Sequence, residues 1–176
     1  VVGELARTLH NEDMRISLWL LPTAGILAAG LVLAQAKYSG PRPPKPDVPF
    51  LLVLDKLTEI ESGMATQADG KNEATYSVNG ATSPVRTPMA EPIFLFQSEK
   101  INPETLSLFK MNVSGGKRTI SIPSGRRAKN APRPISFLTT PLGGGLFRIE
   151  VNEFIDNGEY CFSPDGSNQV FCFTTY

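Results

Sequence analysis

The chain has 176 residues, 41% hydrophobic and 19% charged, enough for one packed domain with accessory segments and too apolar for global disorder. Lys+Arg and Asp+Glu both number 17, so no net field draws the chain to nucleic acid, and no nucleic-acid partner is expected. The only histidine, His10, precedes the main body, which excludes a Ser–His–Asp or Cys–His constellation and a histidine-bearing zinc site there; the two cysteines alone cannot build a four-thiolate centre, and no cofactor or metal is expected.

Residues 1–13 fit neither a signal nor a strand and read as an upstream extension or a short cytoplasmic segment. Residues 14–36 run from Met14-Arg15 through an apolar stretch to Ala34-Gln35-Ala36. That is the order of a secretory signal: basic start, apolar centre, small-x-small cleavage site. Cleavage would fall after Ala36. The rival reading keeps residues 16–34 as a membrane anchor, with the domain outside the cytoplasm. Either way the main body is exported, to the periplasm, the extracellular space or the outer side of the inner membrane. Residues 37–49, KYSGPRPPKPDVP, follow as a Pro-rich, semi-rigid tether.

From residue 50 to 176 short apolar segments alternate with turn clusters. Strands are expected at Leu51–Thr58, Ala74–Val78, Ile93–Gln97, Leu106–Asn112, Arg118–Ile122, Ile135–Thr139, Leu146–Asn152, Glu159–Ser163 and Val170–Thr174. In GLFRIEVN the residues Phe147, Ile149 and Val151 share one face, the alternation of a half-buried strand. Residues 59–72 read as a helical turn or a long loop. Short strands at regular spacing, with Gly and Pro at 15 each, predict an all-β antiparallel sandwich.

The last hairpin, DNGEYCFSPDGSNQVFCF, holds both cysteines. A turn centred on Gly166-Ser167 sets Cys161 opposite Cys172, Tyr160 opposite Phe173 and Phe162 opposite Phe171. The four aromatics then occupy one face and both cysteines the other. A disulfide in an oxidising compartment is favoured over packed free thiols, although a two-residue loop would put the cysteines at the wider, hydrogen-bonded pair. A redox couple would show Cys-x-x-Cys beside an electropositive helix start, and neither is present.

Other stretches carry weaker signals. Lys117, Arg118, Arg126, Arg127, Lys129 and Arg133 form a cationic run without an acid, a surface for phosphate, acidic glycan or lipid headgroups at the envelope, against the plainer reading of a solvated hairpin. The pairs Glu59/Glu61 and Glu150/Glu153 offer carboxylates for glycoside hydrolysis, a pattern equally common on any solvated strand. The segment before Lys117 lacks the first glycine of a P-loop, with Met111 in its place, and Arg118 stands where a hydroxyl is needed. Asp69-Gly70-Lys71 lacks the acidic ladder of a calcium loop and reads as a turn.

Asp156, Gly158 and Tyr160 have the D-x-G-x-Y spacing that resembles the tyrosine corner of immunoglobulin-like sandwiches. The resemblance implies an immunoglobulin-like sandwich of about seven to nine strands, but without the cysteine and tryptophan of the antibody core. The order of signal, tether and terminal GEY…FCF hairpin also resembles uncharacterised exported proteins of soil bacteria, which implies compartment and fold but no activity. The chain is therefore expected to be a non-enzymatic binding or structural module of the cell envelope. A carboxylate-dependent carbohydrate-active hydrolase and a membrane-anchored accessory subunit are the alternatives.

Overall fold

A computed structural model describes residues 38–123 and 131–176. The expected signal or anchor, and Arg126, Arg127 and Lys129, lie outside the described residues. The described chain is all-β. Its thirteen strands are β1 (Pro49–Val53), β2 (Lys56–Glu59), β3 (Glu61–Met64), β4 (Thr66–Asp69), β5 (Glu73–Asn79), β6 (Arg86–Thr87), β7 (Ile93–Gln97), β8 (Leu106–Ser114), β9 (Lys117–Pro123), β10 (Phe137–Gly143), β11 (Leu146–Val151), β12 (Gly158–Pro164) and β13 (Gln169–Thr175).

The strands form two sheets. One has the order β10-β11-β7-β1-β2; the other runs β3-β13-β12-β8-β9-β5-β4, with the two-residue β6 parallel to β13 and every other pairing antiparallel. Between them lies the main core. Leu51, Phe94, Phe96, Ile149 and Val151 of the first sheet meet Leu106, Leu108, Tyr160, Phe162, Phe171 and Phe173 of the second. Phe94 holds this core together: its ring sits edge-on to Phe162 at 5.2 Å and tilted against Phe173 at 5.0 Å. Such aromatic pairs add about 0.5–1.5 kcal/mol beyond the area they bury.

The tether is pinned to the loop after β7 by Asp47, which adopts a left-handed backbone (φ 58°) and whose carboxylate accepts from the N–H groups of Glu99, Lys100 and Ile101. Burial pushes the Asp47 carboxyl up, but these three donors outweigh it and hold the group below its ordinary value.

Three expectations need correction. The segment expected as one strand, Leu51–Thr58, is a hairpin, because Leu54 turns back in the left-handed region (φ 55°). Residues 59–72 are neither helix nor loop but the strands β3 and β4. Their polar faces hid them, since alternation of small and charged residues gives little apolar signal. The third correction concerns the terminal hairpin. Its register is as expected, Cys161 opposite Cys172, but four residues, Asp165–Asn168, separate the strands rather than two. With the longer loop the two cysteines are no longer set at the wider, hydrogen-bonded pair. The two cysteine Cα atoms are 4.1 Å apart, the close spacing of a non-hydrogen-bonded pair, and the disulfide forms.

The second sheet does more than face the first. Only Ala65 separates β3 from β4, and its N–H donates to the Asn168 carbonyl at 2.8 Å. One continuous strand therefore pairs with β13 by its first half and with β5 by its second. The sheet returns to its own beginning, and its outer face becomes the inside of a small barrel-like chamber.

Candidate functional site

Strand alternation decides what enters this chamber. On β12 and β13, Tyr160, Phe162, Phe171 and Phe173 face the main core, so Cys161, Val170 and Cys172 face the other way. On β8, Leu106 and Leu108 face the main core, leaving Ser107, Phe109 and Met111 for the chamber. Ala65, between β3 and β4, adds to the lining, and β4, β5 and β9 contribute Gln67, Tyr76, Val78, Ile120 and Ile122.

One end of the chamber is closed by Arg118 just after the β8–β9 turn. Gly115 and Gly116, at φ 59° and 74°, make the tight two-residue turn that non-glycine residues disfavour. Behind it Arg118 is fully buried. Its guanidinium donates from Nη1 and Nη2 to both oxygens of Glu61, at 2.6 and 2.8 Å, and from Nε and Nη2 to the carbonyls of Gly80 and Asn79. Glu159, also buried, stands 3.9 Å from Arg118 and accepts from Ser83 N–H at 2.9 Å and Thr174 Oγ1 at 2.8 Å. Each charge in this plug therefore has a partner, which is what makes its burial tolerable.

The other end is open. β8 pairs with β9 only through Asn112, Val113 and Ser114, while its first half pairs with β12. The two strands thus splay apart towards Ser107 and Ile122. The resulting cavity has a volume of about 480 Å³, with Met111, Ile120, Cys161 and Val170 deep in the wall. Its rim is polar: Gln67, Ser107, Ser163, Asp165, Ser167 and Asn168.

The expected cationic patch does not assemble among the described residues. Arg118 is withdrawn into the plug, a correction the strand itself could have announced. In KRTISIP it shares alternation with Ile120 and Ile122, and so must point inward with them. Arg133 pairs with Glu153, whose carboxyl that guanidinium and the Ser136 N–H hold below its ordinary range. Lys117 is exposed at the β8–β9 turn.

The candidate carboxylate pairs are likewise divided among separate partners. Glu59 binds Lys45, Glu61 binds Arg118, Glu150 binds Arg148 and Glu153 binds Arg133. The tyrosine corner, by contrast, is built as its spacing indicates. Tyr160 Oη donates to the Asp156 carbonyl at 2.7 Å, and Thr175 Oγ1 donates to the same oxygen at 2.7 Å. Burial raises the Tyr160 hydroxyl pKa, with the neighbouring Lys110 ammonium opposing the shift.

Among the described residues no group of three or more His, Cys, Asp or Glu side chains could hold a metal ion. The chamber itself was not visible as a site in the sequence, because its lining is drawn from six strands and carries no charged or nucleophilic motif at its inward positions. Against family models, curated proteins and solved structures, the chain gives no match.

Proposed function

We propose that this chain is a non-enzymatic binding module of the cell envelope, an immunoglobulin-like sandwich whose inserted strands build a small-ligand chamber. Several features support the scaffold reading. The order β10-β11-β7-β1 faces β13-β12-β8-β9, β6 runs parallel to β13, and the Tyr160 corner leads into β12. Strands β2 to β5 are then an insertion between the first strand and its parallel continuation β6. The disulfide fits an oxidising compartment, and with it export by residues 14–36.

The observation that carries the binding reading is the chamber itself: an apolar cavity of about 480 Å³, open at one end and polar at the rim. Concave apolar sites of about 300–1,000 Å³ with a few convergent polar groups are the usual form of small-molecule pockets. The carboxylates that a hydrolase would need are engaged separately with Lys45, Arg118, Arg148 and Arg133, which favours binding over hydrolysis.

Titration of the full chain with an uncharged apolar dye such as Nile red tests this. The expected result is saturable one-to-one binding that Ile122→Trp, a bulky plug at the mouth, abolishes without lowering Tm. Binding unaffected by Ile122→Trp, or absent in the wild type, would overturn it. The N-terminal residue of the protein recovered from its native envelope reports on export, with Lys37 expected.

A further inference from the structure

The rim of the chamber points to the chemistry of its occupant. We infer that the chamber takes a single-tailed apolar molecule with a hydrogen-bond-donating head, an alcohol or amine rather than a carboxylate. This rests on the binding reading above and adds the ligand class to it.

The wall of the chamber is mainly apolar, with the Tyr76 ring adding a phenol hydroxyl. Phe109, Met111, Ile120 and Val170 line it together with the sulfur of Cys161, so a tail entering there exchanges water for carbon and sulfur. The plug at the closed end is already engaged: four of the five Arg118 N–H donors go to Glu61, Gly80 and Asn79, and Nη1 also faces Glu159 at 3.9 Å. A polar head is therefore directed to the mouth.

Among the described residues of the lining, the one charged side chain is Asp165, on the turn between β12 and β13 at the mouth. Its N–H is tied to the Thr105 carbonyl at 3.2 Å, which fixes the turn and keeps the carboxylate at the rim. On β4 the Gln67 amide donates to Asp69 Oδ1 at 2.6 Å, which sets a second carboxylate beside that rim residue. Among the described residues no ion pair engages Asp165 or Asp69. A carboxylate head would meet like charge, whereas a hydroxyl or ammonium would donate to Asp165.

Decanol, decylamine and decanoate share a tail and differ only in the head, so they separate the head from the tail. They are added to the full chain below the concentrations at which they aggregate, and the methionine methyl resonances are followed by NMR. Met111 lies in the chamber wall, and Met64, 68% exposed and absent from that wall, serves as the control. The expected result is a saturable shift of Met111 alone with decanol and decylamine, at concentrations at least tenfold lower than decanoate requires. Asp165→Asn, a change confined to the turn, should weaken decylamine about tenfold and leave decanol within twofold. Equal binding of all three overturns the head-group inference while the binding reading stands. A Met111 resonance unmoved by every ligand overturns both. Selective binding of decanoate reverses the head-group assignment.

Discussion

The two faces of β8, β12 and β13 are built from the same strands, yet one is solid and the other hollow. Towards the first sheet the alternate residues are Tyr160, Phe162, Phe171 and Phe173, all 1% exposed or less, and they interlock with Phe94. Towards the chamber the alternate residues of β12 and β13 are Cys161, Cys172 and Val170, which are shorter and, with Phe109 and Met111 of β8, leave a cavity of about 480 Å³. Both faces are buried, so burial alone does not distinguish a stabilising core from a receptive one. Side-chain volume on successive inward positions does.

That contrast can be broken by substitution, and the largest effects belong to the solid face. Phe162→Ala should cost about 3–5 kcal/mol, because the rings of Phe94, Phe137 and Phe173 around it cannot collapse into the space. Met111→Ala removes a buried side chain too, but beside an existing cavity, and should fall at or below the lower end of the usual range, about 2 kcal/mol. Chemical denaturation of the two variants, compared at unchanged m, checks the difference. Equal losses would mean that the chamber face is packed as tightly as the core.

The closed end of the chamber is expected to matter nearly as much as the core. Arg118→Met leaves Glu61 and Glu159 without their cation, and breaking such a buried pair costs about 3–5 kcal/mol. The double variant Arg118→Met/Glu159→Gln should recover part of this, a non-additivity that identifies the plug as one coupled unit.

Next in size is the disulfide. Cys161→Ser/Cys172→Ser opens a loop of sequence separation 11, for which a loss of about 2–3 kcal/mol in unfolding free energy is expected, read by chemical denaturation. Tyr160→Phe removes one hydrogen bond to the Asp156 carbonyl, which keeps Thr175 Oγ1 as a donor, and should cost only about 1 kcal/mol.

The smallest effect is the pH dependence at Asp47. Its carboxyl is depressed in the folded state, so its contribution is present above the ordinary value of 3.8 and is lost as pH falls below it. Wild type should therefore lose more stability than Asp47→Asn between pH 5 and pH 3, as read by Tm. Parallel pH curves would remove Asp47 from the account.

The solid face was legible in the sequence and the hollow one was not. Alternating large aromatics in EYCF and VFCF announce a strand pair with one greasy side, and the D-x-G-x-Y spacing carries its own hydrogen bond. The register Cys161 to Cys172 followed from the turn residues. By contrast β3 and β4, ESGM and TQAD, are polar and small, with no alternation strong enough to mark them as strands. They exist because the sheet curls until they can pair with β13 and β5, a long-range event that local pattern does not encode. Arg118 was misplaced for a related reason. Its charge outweighed its inward alternation, and the partner that makes its burial possible, Glu61, stands 57 residues away.

Xenon offers the most direct comparison of the two faces, because it enters apolar voids but not close-packed cores. Methyl spectra recorded under xenon pressure should show Met111, Ile120 and Val170 shifting in a saturable way while Leu108 and Ile149 stay fixed. Unmoved resonances at Met111, Ile120 and Val170, or equal shifts on both sides of the sheet, would contradict the existence of a receptive chamber.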